Sequence, residues 1–316
     1  RARAASLAFK SPYLDTGETN APQAVAANDR KLIDQWAGAA DDCAQYESYN
    51  DLLRDNTIDA VYIGLPTAQH CEWCCAAARM HKHVLVEKPL AADTVEALRM
   101  RQTCDEEGVV LMDASAYPHF ERTKNMVEEI EDWCAFGRVR RVDATFTYSA
   151  TTDFLRGSSE QKAAHAEPLG CLGDLGWYCV RAGLLAFGAD RPPVSAACVV
   201  VEENGAGVPV DCTGSCYFDA DGQKALHFHC SYLHPLQQRL AVVGDRKVLT
   251  CDDFVIPRFA KDCKFAVESF PPASSPLIDL DTCVIACRNE HRVFNAMPQR
   301  LALLEAFADL CLLEQP

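Results

Sequence analysis

Three segments of the sequence carry side chains that could do chemistry together. Glu87 and Lys88 directly follow the apolar run 84–86, while Asp174 and Tyr178 lie four residues apart in a glycine-flanked segment. A helix there would place Asp174 and Tyr178 on one face. A lysine partly removed from water has a lowered pKa, and its charge favours the phenolate form of a nearby tyrosine. Lys88, Asp174 and Tyr178 are therefore predicted to form a proton-transfer set.

A polar loop follows a second apolar run, 58–64. It carries Leu65, Pro66, Thr67 and His70. In an open parallel sheet, ligands bind beyond the carboxyl ends of the strands, so this position suits a ligand-binding loop. A plain connecting loop is the alternative explanation.

The catalytic candidates also have structural explanations. Asp174 could cap the helix that it begins, and Tyr178 could be a core aromatic residue with a satisfied hydroxyl group. Glu87 and Lys88 could form an ion pair at a strand end. The occurrence of all these residues in one chain favours the chemical interpretation.

The elements that would position these residues fall into two patterns. In the first half, strands alternate with helices, which predicts a parallel sheet covered on both faces. Its predicted strands lie at 23–27, 58–64, 84–86 and 109–112, and its helices at 3–9, 30–38, 49–53, 69–80 and 94–107. The second half predicts an antiparallel sheet accompanied by two helices. Its predicted strands lie at 140–149, 194–202, 211–219, 224–233 and 239–250, with hairpin turns at Gly222 and Gly244, and its helices at 174–187 and 298–312.

Charge and composition exclude several classes of protein. The 316 residues include 45 acidic and 30 basic side chains, for a net charge of −15. Such a surface repels phosphate backbones and anionic lipid, so neither nucleic acid nor a membrane is expected as a partner. The start of the sequence has no signal-peptide pattern, and no run has the length of a membrane helix. The expectation of a cytoplasmic protein comes from the cysteines, which are interpreted as reduced.

The cysteine content is unusually high. The chain has 17 cysteines, an odd number that is scattered along it. They are interpreted mainly as reduced, buried, small hydrophobic residues. Cys71 and Cys74 have the spacing of half a zinc site, but no matching second pair follows them, and no metal site is predicted. A thiol- or metal-regulated protein remains a weaker alternative.

Taken together, these motifs resemble the Gfo/Idh/MocA oxidoreductases. The resemblance covers nearly the whole chain and is most specific in the pairing of Glu87-Lys88-Pro89 with Asp174-Leu175-Gly176-Trp177-Tyr178. A tyrosine at position 178, where many members have histidine, is most similar to the dihydrodiol and D-xylose dehydrogenase branch.

The resemblance implies a Rossmann-like NAD(P)-binding domain over 1–115. It also implies a substrate-binding and dimerisation domain over 116–316, an α+β domain with a large open, mainly antiparallel sheet. It implies hydride transfer between a nicotinamide and a sugar, polyol or diol carbon. Lys88 would contact the nicotinamide ribose and the reacting oxygen, Tyr178 would be the general acid or base, and Asp174 would orient the reacting groups. The cofactor would be lined by Leu65, Pro66, Thr67, His70 and Glu87.

The sequence departs from the family pattern in two places. No G-x-G-x-x-[GA] loop is present, and Arg1 falls where the helix after that loop should already be running. The first strand and the glycine loop are therefore expected to be missing from a truncated amino terminus. At the adenine-ribose position stands Asn28-Asp29-Arg30. Arg30 could reach a 2′-phosphate and favours NADP, whereas Asp29 would suit NAD.

A non-catalytic protein is the main rival to the enzyme. A dinucleotide- or sugar-sensing protein, or a dimeric scaffold, could have kept this fold and lost the glycine loop. The presence of Lys88, Asp174 and Tyr178 favours the enzyme, because a scaffold needs none of them. An open sheet with one uncovered face also predicts a homodimer.

Overall fold

The structure, a computed structural model, describes most of the chain from Tyr49 onward and three short strands before it. The described ranges are 4–8, 24–26, 44–46, 48–156, 168–188, 192–259, 261–269, 287–295 and 297–313. Contacts divide the chain into two compact units, and the main boundary between them lies between Ser115 and Ala116. The carboxyl-terminal part of the last helix, from Leu304, groups with the first unit.

The first unit contains a six-stranded parallel sheet with the strand order β3-β2-β1-β4-β5-β6. All four residues of β5 are buried, as expected of a parallel strand covered on both faces. The strands are β1 (Ala4–Ala8), β2 (Ala24–Ala26), β3 (Ala44–Tyr46), β4 (Ala60–Gly64), β5 (His83–Val86) and β6 (Leu111–Asp113). The helices are α1 (Tyr49–Arg54), α2 (His70–Arg79) and α3 (Thr94–Glu107).

The first strand of this sheet corrects two predictions. The sequence predicts the tail of a helix at 3–9 and a sheet that lacks its first, central strand, and both predictions are wrong. β1 lies at the centre of the sheet and pairs in parallel with β2 and with β4. Alanine and leucine favour helix in isolation, but a central strand gives the backbone hydrogen-bond partners on both sides, which outweighs that preference. The region of the expected glycine loop, 9–23, lies outside the described residues, as do Asn28 and Arg30.

Helix α3 shows how local signals set an element. Asp93 begins it, because the Asp93 carboxylate accepts a hydrogen bond from the backbone N–H of Glu96 at 2.8 Å. Gly108 ends it in the left-handed region, with φ of +63°. The predicted bounds of this helix are confirmed at both ends.

The second unit contains an eight-stranded sheet with the strand order β14-β13-β12-β11-β7-β10-β9-β8. Every pair is antiparallel except β7 with β10, which is parallel. The strands are β7 (Val139–Thr147), β8 (Ser195–Glu203), β9 (Pro209–Tyr217), β10 (Ala225–Ser231), β11 (Gln237–Gly244), β12 (Lys247–Cys251), β13 (Asp262–Ser269) and β14 (Cys287–Phe294). The helices are α4 (Glu121–Glu131), α5 (Thr152–Arg156), α6 (Trp177–Phe187) and α7 (Gln299–Leu313).

One face of the large sheet packs against α6. Leu226 on β10 lies under Gly183 of α6, where an added Cβ would come within 2.9 Å of the leucine side chain. Cys230, on the same face of β10, lies in the same way under Gly176. Successive strand residues point to opposite faces, so His227 and His229 of β10 lie on the other face, where both are half-buried.

The predicted strand 239–250 is two strands. β11 ends at Gly244 and β12 begins at Lys247, so the chain reverses at the predicted Gly244 turn. Gly222 also lies in a hairpin turn, between β9 and β10, with φ of +67°. Five strands and α-helices have no counterpart among the predictions, namely β3, β13, β14, α4 and α5.

The cysteines behave as small apolar residues. The structure describes fifteen of them, no two of which form a disulfide with each other, and twelve are buried. Burial, together with the neighbouring Cys75, raises the pKa of the Cys71 thiol to about 11. Such thiols are protonated and poorly suited to bind metal at neutral pH. None of the helices within the described ranges has the length and hydrophobicity needed to cross a bilayer.

Candidate active site

The first group of predicted site residues lies at the carboxyl ends of β4 and β5. The chain leaves β4 at Gly64 and forms a short 3₁₀ turn over Thr67–Gln69, which leads directly into α2. Leu65 and Thr67 are buried, and Pro66 is half-buried. These residues form a fixed loop at the edge of the sheet where ligands of this fold class bind.

His70 ties this loop to the segment after β5. It is 1% exposed, and its Nε2 lies 2.7 Å from the carbonyl oxygen of Leu65. Its Nδ1 lies 3.0 Å from the carbonyl oxygen of Pro89. A neutral imidazole has one N–H and can donate to only one of these oxygens, whereas the cation can donate to both. The ring therefore bridges the backbones of the two loops.

Glu87 is held through both carboxylate oxygens. The hydroxyl group of Tyr62 donates to Oε1 at 2.5 Å, and the backbone N–H of Lys88 donates to Oε2 at 3.2 Å. Tyr62 is on β4, next to β5, so the parallel register brings the two side chains together. Lys88 is half-buried, as the apolar strand before it predicts, and its peptide bond to Pro89 is cis. Sequence reasoning missed Tyr62, whose only signal is a hydroxyl group in an otherwise apolar strand.

The second group lies on a helical segment of the second unit. Residues Leu172–Gly176 form a π-helical turn that continues into α6 at Trp177. Asp174 is inside this turn, so the expectation that it begins and caps the helix is wrong. The predicted helix 174–187 is instead a π turn followed by an α-helix. Single π turns often occur at functional sites, because they redirect the side chains of a helix.

Asp174 is held by a tyrosine from the large sheet. The hydroxyl group of Tyr232, just after β10, donates to Asp174 Oδ2 at 2.9 Å. Tyr232 is 5% exposed. Burial and the charge of Asp174 raise the pKa of Tyr232 well above its usual value, so this hydroxyl group remains a donor at any physiological pH. Nothing in the sequence near Asp174 indicates this partner, which is 58 residues away.

Tyr178 is fixed by aromatic neighbours. Its ring centroid lies 5.9 Å from that of Tyr117 and 5.6 Å from that of Phe146. The Tyr117 hydroxyl group also donates to the backbone carbonyl oxygen of Tyr178 at 3.2 Å. These contacts orient the phenol ring, and the residue is half-buried.

The start of the π turn depends on Gly170. Its φ of +51° is in the left-handed region, and an added Cβ would lie 2.1 Å from the carbonyl oxygen of Pro209. Only glycine tolerates both conditions. The glycine-flanked character of this segment, noted in the sequence, thus has a structural cause in the close approach of its backbone to the first residue of β9.

The structure therefore describes two groups of predicted site residues. Leu65, Thr67, His70 and Glu87 surround the ends of β4 and β5 with Lys88, and Asp174 and Tyr178 share one helical segment. The pairing of Lys88 with Tyr178, and the contact of any of these residues with a cofactor, stay predictions.

Comparisons with known proteins identify the same family along both units. A family model described as "Oxidoreductase family, NAD-binding Rossmann fold" matches residues 9–115, and one described as "GFO/IDH/MocA C-terminal domain" matches residues 125–250. Both branches indicated by the resemblance, D-xylose dehydrogenase and trans-dihydrodiol dehydrogenase, are among the relatives.

Individual relatives match part of their length. A dTDP-3,4-didehydro-2,6-dideoxy-alpha-D-glucose 3-reductase from Streptomyces violaceoruber is 35% identical over 149 residues, which are 47% of this chain and 42% of that protein. D-xylose 1-dehydrogenase (NADP(+)) 2 from Haloferax volcanii is 32% identical over 186 residues, which are 58% of this chain and 55% of that protein. The matched stretches thus span less than two thirds of these relatives.

A solved structure shows the same fold. A 3-ketoreductase from Actinomadura kijaniata, in complex with NADP and TDP-benzene, aligns with a TM-score of 0.75. The alignment covers 92% of this chain and 82% of that one, at 23% sequence identity. Because both domain models of one family match in order along this chain, and its fold is shared with a member of known structure, the chain belongs to the Gfo/Idh/MocA oxidoreductases.

Proposed function

We propose that this protein is an NAD(P)-dependent oxidoreductase that transfers a hydride between the nicotinamide and a CH–OH carbon of a sugar, polyol or diol. The observation that carries the proposal is the position of Glu87 and Lys88 directly after a fully buried strand of a parallel sheet. Dinucleotides bind at this edge in such sheets. The family relationship supports the same activity.

The donor set at this edge fits a dinucleotide. A bound NAD(P) supplies a nicotinamide that accepts or donates a hydride. Glu87 is held rigidly through both of its oxygens, and Lys88 is kept half-buried beside it. In this proposal Lys88 binds the ribose and the reacting oxygen, while Leu65, Pro66 and Thr67 line the cofactor. His70 contributes by fixing the loop, because both of its ring nitrogens face backbone carbonyl oxygens.

Proton transfer falls to Tyr178. In the oxidation direction the substrate hydroxyl group gives its proton to Tyr178, and in the reduction direction Tyr178 returns it. The cation of Lys88 favours the phenolate and so brings this exchange nearer to neutral pH. Asp174, held by Tyr232, orients the substrate hydroxyl groups.

NADP is the proposed cofactor. Arg30 is the residue that could pair with a 2′-phosphate, and the D-xylose dehydrogenase relative is named as NADP-dependent. Kinetics with both cofactors, compared between the natural protein and the Arg30→Ala variant, test this choice. A loss of at least about 10-fold in kcat/KM with NADP, and none with NAD, is expected. Equal loss with both cofactors would contradict it.

A homodimer in the cytoplasm is also proposed. β8, the edge strand of the large sheet, is exposed at all nine positions, with Val199 61% and Val201 60% exposed. An apolar, exposed edge favours association with a second copy. Light scattering at micromolar concentration is expected to give the dimer mass, and a monomer would contradict the proposal. The fifteen cysteines in the described ranges are outside disulfide bonds, which supports a reducing compartment.

A redox assay with a panel of substrates distinguishes the proposed enzyme from the alternative, a non-catalytic sensor. Aldoses, inositols, dihydrodiols and nucleotide-linked ketosugars are offered with each cofactor, and nicotinamide absorbance is followed. Calorimetry with the same compounds runs in parallel. We expect turnover to be lost in Tyr178→Phe. We expect it to be kept in Lys124→Met, which removes an exposed lysine outside the site. Tight binding of cofactor and sugar without turnover on any compound would favour the sensor.

A further inference from the structure

The strongest unassigned cluster of metal-ligating side chains lies on the large sheet. Asp211 is on β9, His229 is on β10 and His234 follows β10. Asp211 is opposite Ser231 in the antiparallel register, so Asp211, His229 and Ser231 share one face of the sheet. Asp211 is 6% exposed, and the histidine side chains are 35% and 47% exposed.

The two imidazole rings converge on one carboxylate. His229 Nε2 lies 3.0 Å from Asp211 Oδ1, and His234 Nε2 lies 3.0 Å from Oδ2. The three ligand atoms lie within 4.8 Å of one another. A tetrahedral ion with bonds of about 2.0–2.1 Å needs ligand atoms roughly 3.3 Å apart, so small side-chain rotations would complete the site.

A buried hydroxyl group supports the carboxylate. Ser231, 0% exposed, donates to Asp211 Oδ2 at 3.1 Å. Hydrogen-bonded support of this kind is typical of the carboxylates that ligate metals.

We propose that Asp211, His229 and His234 bind one divalent transition-metal ion, of which zinc is the representative. Two imidazoles with one carboxylate suit zinc, whereas calcium and magnesium prefer sites made of oxygen ligands. The exposed histidines leave the fourth coordination position open to water or to an external ligand. All three ligands belong to one chain, so the site does not require a second copy. None of the three ligands is among the residues proposed for catalysis.

The sequence does not show this site, because its ligands come from two strands. His229 and His234 are separated by four residues, a spacing that zinc-binding histidines do show, but no second pair of ligands lies near them in the sequence, and Asp211 is 18 residues before His229. Only the register of β9 against β10 brings the carboxylate to the histidines. The structure therefore gives reason to revise the expectation that the chain has no metal site.

Calorimetry of zinc binding to the chelator-stripped, full-length protein tests the proposal. The natural protein is expected to bind one zinc ion per chain at micromolar zinc or below, and to bind neither magnesium nor calcium there. His234→Gln and Asp211→Asn should each weaken binding by at least about 100-fold, since loss of a direct ligand should exceed the 10–100-fold effect of losing a supporting hydrogen bond. His234 lies outside the strands and is half exposed, so its variant should fold normally.

His227→Gln is the matched control. His227 lies on the same strand and face as His229, but it is not part of the cluster, because its Nδ1 faces Ser215 Oγ at 2.8 Å. This variant should bind zinc as the natural protein does. Zinc should also raise the melting temperature of the natural protein and of His227→Gln, and not that of His234→Gln. No 1:1 zinc binding, or equal weakening in His227→Gln and His234→Gln, would overturn the proposal.

Discussion

Two carboxylates, one in each unit, are held in the same way by different parts of the fold. Glu87 accepts from Tyr62, which lies on the adjacent parallel strand, and from the next backbone N–H. Asp174 accepts from Tyr232, which reaches from the large sheet to a π turn. The first arrangement follows from sheet register alone, whereas the second requires two separate elements to pack correctly. The Asp174 group should therefore be more sensitive to changes in packing.

The largest expected effect tests whether the two groups act together. Lys88→Met and Tyr178→Phe should each lower turnover by about 10²-fold or more, with folding retained, because each removes one member of a proton-transfer pair. The double variant should be little worse than the worse single one. Near-normal rates in both single variants would contradict the pairing, and multiplied losses in the double variant would indicate independent roles. Steady-state kinetics measure these rates, with Lys124→Met as the control.

The next effect tests the packing that forms the π turn. Gly170→Ala should lower the free energy of unfolding by roughly 3 kcal/mol, from the left-handed backbone and from overlap with the Pro209 carbonyl oxygen. Gly207→Ala is the matched control, because its φ is +74° and nothing lies within 4 Å of the added Cβ. It should cost about 1 kcal/mol from the backbone alone. Urea denaturation compares them, and equal losses would show that the close approach contributes nothing.

The same contrast explains what the sequence could predict. Helix α3 is predicted correctly because Asp93 and Gly108 mark its ends locally. The edge position of Lys88 is predicted because an apolar run precedes it. By contrast, β14 is missed because its residues are mostly exposed and charged, with no alternation that marks a buried face. Tyr232 as the partner of Asp174 is missed because the contact depends on tertiary packing between residues 58 positions apart.

A third, smaller effect separates the roles of the two tyrosines. Tyr232→Phe removes a donor to Asp174 and should lower kcat by about 10-fold with little change in KM for the cofactor, since one hydrogen bond to a charged group is worth about 1.5–3 kcal/mol. Tyr62→Phe should instead raise KM for the cofactor. The Glu87 carboxylate keeps its hydrogen bond from the Lys88 backbone N–H, but without the Tyr62 hydroxyl group it is less firmly oriented toward the cofactor. Both variants keep the aromatic ring and should fold. If Tyr232→Phe mainly raised KM and Tyr62→Phe mainly lowered kcat, or if both variants changed the same parameter, the proposed division between cofactor binding and chemistry would be wrong.

The smallest effect comes from a third tyrosine–carboxylate pair, Tyr46 with Asp55, which lies near the surface of the first unit. Hydrogen bonds from Tyr46 and from Thr57 lower the pKa of Asp55 to about 2, against about 3.9 in an unfolded chain. A carboxyl group with a lowered folded-state pKa stabilises the fold above its unfolded pKa, and loses that contribution as the pH falls through the folded value. The stability advantage of the natural protein over Asp55→Asn should therefore be constant above about pH 5 and should shrink between about pH 4 and pH 2. Denaturation curves at several pH values measure it, with Asp51→Asn on α1 as a control for removal of an exposed carboxylate. An advantage that is unchanged down to pH 2 would show that Tyr46 and Thr57 do not preferentially bind the ionised form of Asp55.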